Sequence, residues 1–116
     1  MKGKTCCPHR NESEFKKELL TKIFELEKVL GELTLTSGLR CVKCNEDAGG
    51  VPGSAHTTGV AIDVAVPDSK FCYNFVKQCF LLGINRIGFG NGFQHIDISK
   101  SLPQNVMWNY YNKGKG

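Results

Sequence analysis

The chain has 116 residues, 41% of them hydrophobic, and a net charge of +4. That suits one globular domain, taken as residues 1–116, with chain enough for one core. No apolar run approaches the ~20 residues of a membrane span, and the scattered lysines with no basic helix argue against nucleic acid as a partner.

In chain order, Met1 to His9 lacks the apolar core of a signal peptide, so synthesis in a reducing cytoplasm is expected. Six cysteines in such a compartment favour metal binding over disulfides. Cys6 and His9 form a Cys-x-x-His pair, and Cys41 and Cys44 a Cys-x-x-Cys pair. Together they could close a tetrahedral structural zinc site, with Cys7 able to replace Cys6. The alternatives are free thiols, or a disulfide if the protein ends up outside the cell.

Asn11 and Glu14 resemble a capping box, and Phe15, Leu19, Ile23, Leu26 and Leu30 recur at helical spacing until Gly31. A helix is expected over about 12–30, then a short strand over 33–37 and a long loop over 38–53. Residues 60–66 alternate as a strand. Asp68 or Ser69 caps a second helix over about 69–82, on which Cys72 and Cys79 are expected to be small buried hydrophobes. Residues 86–89 and 93–98 read as a hairpin around Gly90, Asn91 and Gly92, and a tail with the only tryptophan follows Pro103.

The chemistry concentrates in Ser54-Ala-His56-Thr-Thr-Gly59-Val-Ala61-Ile-Asp63 and in His95-Ile-Asp97. Val60, Ile62, Val64 and Val66 alternate with Ala61, Asp63 and Ala65, so one strand face is apolar and the other carries a carboxylate between small residues. Phe93, His95 and Asp97 likewise share a face. If the two strands are neighbours, Asp63 and His95 project into one cleft and His56 folds over it from its loop. A catalytic zinc takes three N or O ligands and leaves one position open. His56, Asp63 and His95 are the expected set, His95 largely by elimination among three histidines. The alternative is a buried His95 bonded to Asp97.

The Ser-x-His-x-x-Gly-x-Ala-x-Asp run resembles the signature of the zinc D-Ala-D-Ala carboxypeptidase-like peptidases, which share a fold with the hedgehog signalling domain. The His95-x-Asp97 strand is similar to the late motif of one branch, and Ser37-Gly38-Leu39-Arg40 with Asn45 is similar to the family's Ser-Gly-Tyr-Arg segment. The resemblance implies an α+β fold: a small, mostly antiparallel sheet with helices on one side. It implies zinc-dependent hydrolysis of a peptide bond in peptidoglycan, by a carboxypeptidase or an endopeptidase, with Arg40 binding the substrate carboxylate or backbone. Ser54 is expected to bond substrate or to support the His56 loop, and Gly59 to allow close backbone approach. Many relatives carry an acidic residue three positions before the last histidine ligand; here that position is Gly92. Asp97 is therefore expected to be the general base, with two alternatives: it orients His95, or it exchanges roles with His95. The size and the missing signal peptide suggest a monomeric phage lysis enzyme that reaches the cell wall after release. The positive charge would favour that anionic polymer. A catalytically weak zinc-containing binding module, or a phage structural module of the same fold, is the alternative, kept open by Gly92.

Overall fold

The computed structural model describes residues 1–3, 15–38, 42–47, 49 and 55–111, with only the backbone of Lys2, Gly3, Val42, Cys44, Asn45 and Ala55. Six strands form one sheet: β1 (Lys2–Gly3), β2 (Thr34–Ser37), β3 (Ala61–Ala65), β4 (Arg86–Gly90), β5 (Phe93–Asp97) and β6 (Val106–Asn109). Their spatial order is β1-β2-β3-β5-β4-β6. The β2–β3, β3–β5 and β4–β5 pairs are antiparallel, while β1–β2 and β4–β6 are parallel. The fold is α+β with a mostly antiparallel sheet, as the sequence implies.

Helix α1 (Lys17–Leu30) buries Leu19, Ile23 and Leu26, one stripe at helical spacing. Gly31, at φ 83°, ends it and returns its N–H to the Glu27 carbonyl at 2.9 Å. The helix begins later than the sequence suggests. Phe15 is buried but not helical, and Lys16 is extended because its N–H is drawn to the Gly59 carbonyl at 2.9 Å. The Asn11–Glu14 capping box lies outside the described residues. A six-residue helix α2 (Val42–Asp47) occupies part of the expected loop; under two turns, it is too short to show a repeat.

Helix α3 (Ser69–Leu81) is capped by Asp68, whose Oδ1 accepts from the Phe71 N–H at 2.8 Å. Its Phe75 and Cys79 are buried. Cys79 is a buried free thiol as expected, and burial pushes its pKa up to about 12; Cys72, also free, is only half-buried. The buried side chains of both long helices join Ile62, Val64, Ile87 and Ile96 in one core, so α1 and α3 cover the same sheet face. The other face carries Asp63 of β3 and His95 and Asp97 of β5, while Gln94 is buried on the core side beside Val64. Among the described residues no helix is long and apolar enough to cross a membrane.

Strand β6 was not legible as a strand. It is four residues long and is entered through Asn105 at φ 60°, a left-handed conformation that asparagine tolerates. It pairs in parallel with β4 and carries Trp108 to the polar sheet face.

Candidate metal centre

The strand register builds the site. Ser37 pairs with Asp63, Asp63 with His95, His95 with Gly88, and Gly88 with Trp108. Paired residues share a sheet face, so these five form one row across β2, β3, β5, β4 and β6. In the neighbouring row Ala61 faces Asp97. His56 arrives from a short 3-10 helix (Ala55–Thr58) that leads into β3. Gly59, at φ 75°, makes the left-handed turn between them, a conformation that glycine adopts without strain.

His56, Asp63 and His95 are all buried, and one ligand atom from each lies within 4.8 Å of the others. Asp63 Oδ1 is 3.3 Å from His56 Nε2 and 2.9 Å from His95 Nδ1. Tetrahedral bonds of about 2.0–2.2 Å give ligand–ligand edges of roughly 3.3–3.6 Å. The first spacing already fits, and the second needs only a few tenths of an ångström of opening. The far nitrogens are committed elsewhere. His56 Nδ1 bonds the Gly38 carbonyl at 2.8 Å, and His95 Nε2 bonds Asp97 Oδ2 at 2.7 Å. Such partners fix the tautomer and ring orientation of a ligating histidine. His56 is therefore set to offer Nε2, and His95 Nδ1. Two nitrogens, each on a ring held from behind, and a carboxylate oxygen between them are a donor set that suits zinc.

The electrostatics follow from burial and contact. Burial alone would raise the Asp63 carboxyl, but hydrogen bonds from His56 and His95 outweigh it and hold it well below the usual carboxylate range. Burial would lower His95, and its bonds to Asp63 and Asp97 outweigh that and raise it. Asp97 is lowered: burial opposes this, and bonds from His95 and Arg86 overcome it.

Arg86 escaped the sequence reading. Its Nε donates to Asp97 Oδ1 at 2.6 Å, and the Ser99 N–H also reaches that oxygen at 3.1 Å. The signal was in the hairpin: with Gly90 opposite Phe93, counting back sets Arg86 opposite Asp97. Trp108 and Tyr110 stand beside the site. The Trp108 ring is 5.4 Å from His95, and the Tyr110 ring is 6.5 Å from it. Glycine makes this possible, since a Cβ on Gly88 would stand 2.7 Å from Trp108 Nε1. A cavity of about 420 Å³ lined by Phe80, Ile84, Val106 and Met107, among others, contains none of the site residues.

The remaining sequence candidates are not placed. Arg40, Ser54, Cys6, His9 and Cys41 lie outside the described residues, and of Cys44 only the backbone in α2 is described.

A buried His-Asp-His set with an orienting carboxylate behind one histidine is a set that could hold a metal ion. Residues 1–99 match the family model Peptidase M15, and the chain belongs to that family of zinc peptidases. A comparison with curated proteins finds no match.

Proposed function

We propose that the protein hydrolyses a peptide bond in bacterial peptidoglycan, as a D-Ala-D-Ala-type carboxypeptidase or a cell-wall endopeptidase of the phage endolysin kind. The observation that carries this is the convergence of His56, Asp63 and His95 within 4.8 Å, inside the span that matches the peptidase family. The net charge of +4 supports an anionic polymer as substrate.

Zinc, when bound, would polarise the scissile carbonyl and acidify a water at neutral pH. His56 Nε2, Asp63 and His95 Nδ1 would hold it. The Gly38 carbonyl and Asp97 keep the two rings in that orientation. We take Asp97 as the partner of His95 rather than as the base, because both of its oxygens are already engaged. Trp108 and Tyr110 offer a wall against which a peptide can lie. Arg40 would hold the substrate carboxylate with its guanidinium fork, and Ser54 would support substrate or loop. The protein would act as a monomer on the wall after release from the cytoplasm.

One observation favours a second reading, a zinc-containing binding module with weak turnover. Gly92, the position at which the resemblance leads one to expect an acidic residue, sits at φ 75° in the turn between β4 and β5 and is exposed. Purified peptidoglycan separates the two. The enzyme releases new amino groups, loses this activity to a chelator and regains it with zinc. The binding module sediments with the wall and releases none.

A further inference from the structure

Arg86 is 8% exposed and joins three elements. Its Nε donates to Asp97, its Nη1 donates to the Pro103 carbonyl at 2.5 Å, and its guanidinium carbon lies 5.0 Å from the Trp108 ring centre. Asp97 is 1% exposed and holds His95 Nε2 with its other oxygen. His95 Nδ1 in turn faces Asp63, which faces His56. The result is one unbroken chain from Arg86 through Asp97, His95 and Asp63 to His56. Two of Arg86's three partners, Pro103 and Trp108, lie beyond residues 1–99, the span matched by the family model.

We propose that Arg86 is a positioning residue of the metal centre: it anchors Asp97 so that His95 keeps Nδ1 aimed at Asp63, and it makes segment 103–108 part of the site. The proposal rests on reading His56, Asp63 and His95 as the metal ligands. A half-turn of the His95 ring about its Cβ–Cγ bond would replace Nδ1 with a carbon. The bond from Nε2 to Asp97 prevents that turn only while Asp97 itself is fixed. A buried carboxylate with one neutral partner is costly. The planar Arg fork supplies the charge, and its second donor ties the guanidinium to the Pro103 carbonyl, so neither group can drift.

The test is the affinity for zinc ions, measured by competition with a chelating dye, for the wild type, Arg86→Gln, Asp97→Asn and the double variant. Urea melts of the zinc-free proteins report whether each is folded. Arg86→Gln should weaken zinc binding about 10- to 100-fold, the usual cost of losing an outer partner. Asp97→Asn should do the same. The double variant, which buries no unpaired charge, should bind no worse than Asp97→Asn, because the two residues act through one path. Arg86→Lys should recover part of the loss. A folded Arg86→Gln protein with wild-type affinity would overturn the proposal, as would a double variant whose losses multiply. If Arg86→Gln does not fold, the double variant against Asp97→Asn decides alone: equal affinity supports the proposal, and a tenfold further loss overturns it. A wild-type protein that bound no zinc would overturn the metal reading as well, and the same titration shows it.

Discussion

Asp63 and His95 are register partners on adjacent antiparallel strands, and their side chains meet on one face with Nδ1 2.9 Å from Oδ1. This one pairing turns two separate sequence motifs into a site. In the metal-free protein it also couples stability to pH, since the contact raises the pKa of His95 and lowers that of Asp63.

The metal-free protein should be most stable between the ordinary values of the two groups, 3.8 and 6.5. Asp63 is depressed in the folded state, so its contribution is present above its unfolded value and is lost as pH falls through the folded one. His95 is raised, so its contribution is complete below its unfolded value and is lost as pH rises through the folded one. Urea midpoints of chelator-treated protein should therefore decline from about pH 6.5 upward. A midpoint that climbs steadily through this range would contradict the assignment.

Asp97→Asn separates orientation from base catalysis. With both oxygens engaged, Asp97 should act through His95, and the variant should lose zinc affinity by about 10- to 100-fold. Full zinc loading with turnover cut a hundredfold or more would instead identify Asp97 as the base.

Much of this site was legible because β-strands alternate. His95 and Asp97 announce a shared face by their spacing of two, Asp63 alternates with the apolar residues of its own strand, and the pairing of the two strands brings them together. The contact of Arg86 with Asp97 was not legible, because the position of Arg86 follows only from the hairpin register. Helix α2 and strand β6 escaped for another reason: elements of six and four residues are too short for a period to emerge. The start of α1 was misread because a tertiary bond, Lys16 N–H to the Gly59 carbonyl, outweighs local helix propensity.

Gly88→Ala should disturb the aromatic wall. The added Cβ meets the Trp108 indole at 2.7 Å, and a fused ring cannot bend away. The cost should be about 1–3 kcal/mol, typical of overpacking. Trp108 is the only tryptophan, so its emission reports the displacement directly. An unchanged spectrum with unchanged stability would show that the wall yields freely.

Cys6, His9, Cys41 and Cys44 carry two metal-ligand spacings. If they hold a second, structural zinc, Cys41→Ser should lower the metal content from two equivalents to one, with stability falling more than turnover. One equivalent in both proteins would remove that site.

The most direct test of the account is hydrolysis of purified peptidoglycan by His56→Ala beside the wild type, with folding checked by urea melts. His56 is one of the three residues placed to hold the metal in this account, and its ring is held from behind by the Gly38 carbonyl. The account predicts a folded variant that loses zinc and releases no new amino groups, while the wild type releases them in a zinc-dependent manner. A folded, zinc-depleted His56→Ala protein that still cleaves the wall would contradict it.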